Sequence, residues 1–367
     1  MVSVVSVNYN SSALLKECYH SIPAAVGDVP FEFLAIDSGS RAEEVDSLSG
    51  LRGGNVTIIA EKDNIGYARA VNIGIRKAKG EHILITNPDV VYQPGCIEAM
   101  VRALTELPRC GAVGPKTWWD KKMIFLLPMS ELITPYWLFK AELMRASRTL
   151  NDIFLKGWVN KTSEYWVSKE PVIQEMLAGA CIMTTRQVIG KVGGFDESFT
   201  LYFEDADWCL RARNAGYRLY MEPRAKIIHY YNQSAMQERS ISEEKFNDSL
   251  EKYLRKNFKV SSIVFRRMQR LLTSASNNIT TIYDDMGMLD VPPIFTFKDG
   301  SRKLLLLSPV ESLMPSSGSF IEGLSFGIPK DLWELMGEGR YFLRALDAIS
   351  FEDRGAWCWT RLGRKRH

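Results

Sequence analysis

The 367-residue sequence lacks the features that mark secreted and membrane-spanning proteins. No uninterrupted apolar run reaches the roughly 18 residues of a membrane span, and the start, MVSVVSVNYN, has no basic segment ahead of an apolar one. The six cysteines include no CxxC pair and no disulfide-like spacing. We therefore expect a cytoplasmic protein with no signal peptide and no transmembrane segment, and contact with the inner face of the cell membrane stays open.

A large excess of one charge is also missing. Lysine and arginine number 46 against 43 aspartates and glutamates, and the formal net charge of +3 argues against a general nucleic-acid binder. The turn after the first apolar run, NYNSSALLKEC, contains neither GxGxxG nor a P-loop. This absence argues against a dinucleotide cofactor and an ATP-type phosphate cradle. It also argues against a sugar-phosphate nucleotidyltransferase, which needs a glycine-rich loop there.

Up to about residue 115, short β-rich runs alternate with helical patterns. The runs are SVVSVNYN, FEFLAIDSGS, VTIIAEKDN, EHILITNPD and GAVGP. This alternation predicts an α/β fold with a mostly parallel central sheet and flanking helices. The predicted strands end in the polar residues Asn8, Asp37, Asn64 and Asp89. Ligands bind beyond the carboxyl ends of parallel strands, so these side chains predict a binding site.

The whole sequence divides into three parts, the first of which contains an insertion. Residues 1–260 form the predicted catalytic domain, and residues 118–170, rich in aromatic, leucine and basic residues, form a helical insertion within it. Residues 261–280 predict a helical connector, and residues 281–367 predict a small β-rich accessory domain. The apolar residues of the insertion either pack against one of the two domains or rest on a membrane surface.

Asp89 is the first candidate metal ligand. It follows the predicted strand in the sequence Asn-Pro-Asp, where proline fixes the backbone and ends strand pairing. A hard cation takes one or two carboxylates and completes its shell with phosphate oxygens and water. Asn-Pro-Asp is also a good turn, so a second ligand is needed. His229, at the end of the run AKIIH, is the candidate, although a lone histidine is more often structural.

Two predicted helix starts carry further polar residues. The segment DNIGYARAVNIGI places Asn64, Gly66, Arg69 and Asn72 where free amide groups favour an anion, although a solvated first turn capped by Asn64 is the alternative. The segment EDADWCLRARNAG opens with three acids, which the helix dipole alone would favour. The three carboxylates repel one another, so their placement requires either nearby cations or a catalytic role.

These segments together resemble the family 2 glycosyltransferases of GT-A fold, especially their rhamnosyltransferase-like branch. The resemblance covers about residues 1–260. It depends on the motifs VSVVSVNYN, IDSGS, NIGYARAVNIGI, LITNPDV, LAGACIMTTR, GGFDESF and YFEDADWCLR and on His229, in the family's order.

The resemblance implies a nucleotide-diphosphate sugar donor, a divalent metal (Mn²⁺ or Mg²⁺) and inversion at the anomeric carbon. It implies that Asp205 is the catalytic base and that Asp89 and His229 bind the metal. Asn87 replaces the first acid of the family's Asp-x-Asp motif, as is common in this branch. The implied donor-binding residues are Asn8, Asp37, Asn64, Gly66, Arg69, Asn72 and Asn87. The implied residues for acceptor binding or support are Gly179, Glu204, Asp207, Trp208 and Arg211.

The family's processive members carry a QxxRW motif, which this sequence lacks. We therefore expect the addition of one or a few sugars to a glycan or a polyprenyl-linked glycan in the synthesis of a bacterial surface polysaccharide. A protein that kept the fold as a carbohydrate-binding or assembly factor without catalysis is the alternative. The sequence leaves the oligomeric state, the sugar, the nucleotide and the acceptor open.

Overall fold

The computed structural model describes residues 1–51, 53–230, 239–260, 264, 267 and 283–363. The chain forms two compact units. Unit 1 comprises Met1–Thr117, Ser130–Thr134 and Ser168–Ser262, and unit 2 comprises Trp118–Met129, Pro135–Val167 and Ile263–His367. Most of the predicted connector over residues 261–280 lies outside the described residues.

The strands and helices of unit 1 alternate along its first part. The strands are β1 (Val2–Asn8), β2 (Phe31–Ser38), β3 (Val56–Glu61), β4 (His82–Thr86), β5 (Val90–Tyr92), β6 (Cys110–Trp118), β7 (Val172–Gln174), β8 (Cys181–Thr185) and β9 (Arg218–His229). The helices are α1 (Ser12–Val26), α2 (Ala42–Leu48), α3 (Tyr67–Lys77), α4 (Cys96–Glu106), α7 (Arg186–Val192), α8 (Glu204–Asn214) and α9 (Arg239–Phe258).

Unit 2 contains the remaining elements. Its helices are α5 (Pro135–Ala146), α6 (Arg148–Val167) and α10 (Lys330–Leu335). Its strands are β10 (Asp284–Leu289), β11 (Ile294–Thr296), β12 (Lys303–Ser308), β13 (Ser317–Ile321), β14 (Ser325–Gly327), β15 (Gly339–Asp347) and β16 (Asp353–Arg361).

The central sheet of unit 1 has nine strands in the order β3-β2-β1-β4-β8-β6-β9-β5, and β7 pairs with β9. The four strands from β3 to β4 are parallel, as the alternating pattern predicts. The second half of the sheet is mixed, because β8 pairs antiparallel with β4 and with β6. The predicted fold class, an α/β unit with flanking helices plus a β-rich C-terminal part, is confirmed.

Both faces of this sheet are covered. Alternate residues of β1 enter opposite cores, with Val2 and Val4 on the face covered by α1 and α4, and Val5 and Val7 on the face covered by α3 and α8. The close approach of α3 to the sheet requires a glycine, because a Cβ at Gly74 would lie 2.2 Å from Val5 Cγ1. The first turn of α3 is thereby held at the edge where the strands end.

Unit 2 is built on a five-stranded sheet in the order β10-β16-β15-β12-β13, with a two-stranded sheet of β11 and β14. Residues 118–129 and 135–167, predicted as an insertion of the N-terminal domain, belong to this unit. In α6 the ring of Trp166 lies against the backbone of β13, where a Cβ at Gly318 would lie 2.2 Å from the ring. Trp166 also donates from Nε1 to the Leu127 carbonyl at 2.9 Å. Of the two alternatives for this segment's apolar residues, packing on the C-terminal sheet is therefore observed for Leu155, Trp158, Val159 and Trp166 of α6, whereas Ile153 and Val167 are exposed.

None of the helices in the described ranges combines the length and the apolar character that a membrane span requires.

Candidate active site

The ends of β1 and β2 form the first part of the site. Asn8 and Asp37 are direct partners in the parallel register and both are fully buried. Asn8 donates from Nδ2 to Asp37 Oδ2 at 2.7 Å, and the Ser40 amide donates to Asp37 Oδ1 at 3.0 Å. The predicted residues Asn8 and Asp37 therefore lie together, and Ser40, which sequence reasoning did not single out, completes their network.

The loop after β3 lies directly against this network. Gly39 has a φ of +73°, and a Cβ there would lie 2.4 Å from the Asp63 carbonyl carbon and 2.5 Å from the Asn64 amide nitrogen. Asn64 Oδ1 accepts from the Gly66 amide at 3.0 Å, which shapes the turn into α3. Exposed Arg69 stands in the first turn of α3. Asn64, Gly66 and Arg69 thus lie at the same edge of the sheet as Asp37.

Asn72 does not join these residues. Its side chain is buried and faces the GGFDE segment, donating to the Phe195 carbonyl at 2.8 Å and to Glu197 Oε1 at 3.0 Å. Its Oδ1 accepts from the Phe195 amide at 2.9 Å. These bonds occupy the amide, so Asn72 anchors a loop instead of offering a group to a ligand.

Asp89 and His229 meet as the sequence predicts. Val90 and His229 are partners in the antiparallel pair of β5 and β9, which brings His229 beside the Asn-Pro-Asp turn. His229 Nε2 lies 3.3 Å from Asp89 Oδ1. The two residues are only 8% and 5% exposed. Chain segments separated by more than a hundred residues therefore supply one oxygen and one nitrogen at one point.

Asp205 stands in the first turn of α8 and is half-buried. Its carboxylate accepts from the Gly179 amide at 2.7 Å and from the Ala206 amide at 2.7 Å. Burial raises the pKa of Asp205, whereas the two amides lower it. A Cβ at Gly179 would lie 3.1 Å from Asp205 Oδ2, so a larger residue there would press on the carboxylate. A carboxylate with a raised pKa that keeps its charge is suited to accept a proton.

Tyr67 links the predicted residues, although the apolar pattern of α3 gave no signal for it. Its hydroxyl lies 2.9 Å from Asn87 Oδ1 and 3.2 Å from the Gly179 carbonyl oxygen, and either can accept its proton. Burial and the charges of Glu204, Asp205 and Asp89 raise the pKa of Tyr67 well above its usual range. The phenol is therefore neutral and joins the turn after β4 to the segment that binds Asp205.

Glu204 precedes Asp205 and is 5% exposed. Its Oε2 is shielded from water and has no hydrogen-bond partner among the described residues. Burial and the charge of Asp205 raise the pKa of Glu204 to about 8.

Asp207, Trp208 and Arg211 support the site from behind. Buried Asp207 accepts from Arg211 Nε at 2.8 Å and contacts Lys256 Nζ of α9 at 2.6 Å. Trp208 Nε1 donates to the Gly193 carbonyl at 2.9 Å. Of the two roles predicted for them, binding an acceptor or supporting the fold, these contacts provide the second.

The backbone ahead of α8 is strained. Tyr202 and Phe203 both have left-handed φ angles, 69° and 67°, which are unusual for aromatic residues. Residues of α9 hold them in place: Phe203 stacks on Tyr253 at 5.3 Å and contacts Phe246 at 5.1 Å. The strain places the side chains of the Glu-Asp pair, and α9 is the element that stabilises it.

The candidate donor set for a divalent cation is Asp89 with His229. Among the described residues no group of three or more His, Cys, Asp or Glu side chains is placed to hold a metal ion. Asp89 and His229 provide two donors of types that Mn²⁺ accepts. The residues therefore fit a metal whose remaining ligands are substrate oxygens and water.

Comparisons with known proteins give the family that part of this chain matches. The profile of Glycosyl transferase family 2 matches residues 3–155. A Mycobacterium tuberculosis protein, N-acetylglucosaminyl-diphospho-decaprenol L-rhamnosyltransferase, is 28% identical over 246 residues, covering 63% of this chain and 76% of its own. The rhamnosyltransferase WbbL of Escherichia coli K12 is 30% identical over 184 residues, covering 48% of this chain and 62% of its own.

Among solved structures, the mannosyltransferase PcManGT from Pyrobaculum calidifontis, in complex with GDP-Man and Mn²⁺, has a TM-score of 0.46 at 16% identity and covers 75% of this chain and 70% of its own. The family match and the curated relatives confirm the resemblance that the sequence motifs predict. The chain thus contains a Glycosyl transferase family 2 domain, which the profile matches over residues 3–155.

Proposed function

We propose that this glycosyltransferase moves a sugar, rhamnose or another hexose, from a nucleotide-diphosphate donor to a hydroxyl of a glycan or polyprenyl-linked glycan acceptor, with inversion. The prenyl-diphosphate acceptor and the rhamnosyl group in the name of the mycobacterial relative support this choice. The synthesis of a bacterial surface polysaccharide is the corresponding process. The observation that carries the proposal is that Tyr67 ties Asn87, beside the Asp89–His229 pair, to Gly179, which binds Asp205.

Donor binding is assigned to the strand ends. Asp37 is fully buried and held by Asn8 and the Ser40 amide, and we assign it to the nucleoside side of the donor site. Arg69, exposed in the first turn of α3, is assigned to the diphosphate, where a positive helix end and a guanidinium stabilise negative charge. Asn64 and Gly66 act by shaping this turn.

Asp205 is the proposed general base. It takes the proton of the acceptor hydroxyl while that oxygen bonds to the anomeric carbon and the bond from this carbon to the diphosphate oxygen breaks. Attack on the face opposite the leaving group inverts the configuration in one step, so no covalent nucleophile is needed. The amides of Gly179 and Ala206 keep the base oriented.

Asp89 and His229 are the proposed ligands of Mn²⁺ or Mg²⁺. The bound ion would neutralise charge that develops on the departing diphosphate. Because the protein supplies two donors, we expect weak metal binding without nucleotide and tight binding with it.

The test is thermal unfolding with a panel of nucleotide-sugars, with and without Mn²⁺, since a ligand that binds the native state raises the midpoint. We expect one donor to stabilise the wild-type protein in a metal-dependent way and Asp89→Ala to lose that response. A metal-dependent response that survives in Asp89→Ala would refute the metal assignment.

Assays of donor hydrolysis and of sugar transfer then distinguish an enzyme from a protein that only binds carbohydrate. We expect turnover by the wild type and none above background by Asp205→Asn. Equal rates in both would favour the catalytically inactive carbohydrate-binding protein.

Contact with a membrane surface is the second part of the proposal. In α5, Tyr136 and Phe139 are 72% and 58% exposed, one helical turn apart, and Lys140 follows them. Aromatic rings beside basic groups favour the interface of anionic lipids. We expect the wild-type protein to sediment together with vesicles that contain anionic lipid. A variant with both Tyr136→Ser and Phe139→Ser should stay in the supernatant. Equal sedimentation would reject this contact.

A further inference from the structure

The adjacent carboxyl groups of Glu204 and Asp205 lie in different surroundings. Asp205 accepts two backbone N–H groups, from Gly179 and from Ala206, and is half-buried. Glu204 is 5% exposed, and its Oε2 has no donor among the described residues. Donated hydrogen bonds stabilise a carboxylate, whereas burial without them stabilises the neutral acid.

In the part of the chain that the structure describes, no positive charge acts on Glu204 to offset that of Asp205. Asp205 on the same helix and the neutral phenol of Tyr67 on α3 are the titratable neighbours, with Asp89 acting on Tyr67 from the turn after β4. The nearby cations are engaged elsewhere, since Arg211 and Lys256 bind Asp207. Two neighbouring carboxyl groups in such a place favour the state that shares one proton between them.

We propose that Glu204 is a positioning residue that holds this proton in the working enzyme, so that Asp205 alone carries the charge and accepts the proton of the acceptor. The inference depends on the proposed role of Asp205 as base. Glu204 acts through its neighbour, since its unpartnered oxygen is closed to water.

A functional consequence follows at alkaline pH. With the pKa of Glu204 raised to about 8 by burial and Asp205, deprotonation adds a second negative charge beside the base and beneath Tyr67. That charge repels the donor diphosphate and disturbs the bonds that Tyr67 makes to Asn87 and Gly179. Activity therefore falls as Glu204 loses its proton.

The first experiment compares the pH profiles of kcat/KM for the wild-type protein and for Glu204→Gln, whose uncharged amide imitates the protonated acid. For the wild type we expect a loss of about tenfold between pH 7 and pH 9, as for a single group that must stay protonated. Glu204→Gln should remain active at pH 7 and lose this alkaline decline. An unchanged decline, or a folded variant inactive at every pH, would overturn the inference.

A second measurement does not depend on catalysis. Because the folded-state pKa of Glu204 lies above its ordinary value of 4.5, the stability present below pH 4.5 is lost as pH rises to about 8. The unfolding midpoint of Glu204→Gln should therefore rise relative to the wild type across this range. Glu43→Gln, an exposed acid in the first turn of α2, is the matched control and should follow the wild type.

A constant difference between Glu204→Gln and the wild type from pH 5 to pH 8.5 would overturn the inference. If the wild type transfers no sugar but the midpoints diverge as expected, the proposed function fails while the proton on Glu204 is supported. The two failures are thus distinguishable.

Discussion

At the scale of single residues, Asp205 carries the strongest catalytic prediction. Asp205→Asn keeps the shape of the side chain but removes the proton acceptor, so we expect kcat to fall by about 10²–10⁴-fold with little change in donor affinity. Steady-state transfer kinetics and donor titration measure the two quantities. A comparable loss of donor affinity would mean that Asp205 binds substrate instead of acting as base.

Tyr67 is the second residue whose role can be tested. Tyr67→Phe removes a buried hydroxyl that contacts Asn87 and Gly179, and leaves their oxygens without its proton. We expect a loss of about 1–2 kcal/mol in the free energy of unfolding. Denaturant titration of the variant beside the wild type provides the measurement. An unchanged free energy would show that these two contacts contribute nothing to the fold.

Sequence reasoning at this scale predicted the position of a side chain best where a polar residue follows a strand, while the roles of these residues stay predictions. Asn8, Asp37, Asp89 and His229 are of this kind, because the end of a strand fixes where the side chain must lie. It failed for Tyr67, whose position in an amphipathic helix predicts core packing. Asn72 shows the reverse error: a polar residue on a helix was interpreted as ligand-binding, but a distant loop takes its hydrogen bonds.

At the scale of elements, the approach of two loops at Gly39 shapes the nucleoside side of the site. Gly39→Ala adds left-handed strain, about 1–2 kcal/mol, and a clash with Asp63 and Asn64. Gly216→Ala is the matched control, since Gly216 has a φ of +90° with nothing within 4 Å of its Cβ. We expect donor affinity to fall in Gly39→Ala only. Equal effects of both substitutions on donor binding would contradict a role for the close approach.

The contact of α8 with α9 is the second test at this scale. Asp207→Asn removes the charge that binds Lys256 and Arg211. We expect a cost of about 2 kcal/mol, below the ~3–5 of a fully buried pair, because both cations are partly exposed. Transfer activity should fall by more than the loss of folded protein explains, because α9 also holds the strained residues ahead of Glu204. Thermal unfolding and transfer assays on the same variant provide the comparison, and full activity would argue against this role of α9.

Elements with a clear period were predictable, and those that depend on tertiary pairing were not. The predicted helix start in DNIGYARAVNIGI is that of α3, Tyr67–Lys77. The run AKIIH is the second half of the longer strand β9, which begins at Arg218 and continues through Pro223. Strand β16, with the sequence DRGAWCWTR, was not predicted, because its glycine and charged residues interrupt the apolar alternation of a strand. In the structure it is paired with β15 and β10.

At the scale of the whole molecule, carboxyl groups of opposite behaviour set the dependence of stability on pH. Ser301 and Lys303 lower the pKa of Asp299 to about 2. Partial burial raises the pKa of Asp196, but Lys256 and Ser198 outweigh it and lower the value to about 2. Both contribute stability that is lost as pH falls from 3.8 towards 2.

Glu204 has the opposite effect, because the stability that it contributes to the fold is lost as pH rises from 4.5 to about 8. We therefore expect the highest unfolding midpoint near pH 5, with a decline on both sides. Calorimetry across pH 2–9 measures it. A midpoint that rises continuously from pH 5 to pH 8 would contradict the direction assigned to Glu204.

The indole of Trp208 has a consequence for spectroscopy. Of the nine tryptophans, Trp208 alone falls within unit 1, and the others belong to unit 2. Replacing Trp208 with phenylalanine and subtracting the emission of that variant from the wild type isolates the signal of the helix that begins with Glu204 and Asp205. The chain thus contains a native fluorophore that reports on α8, and the remaining eight report on the β-rich unit.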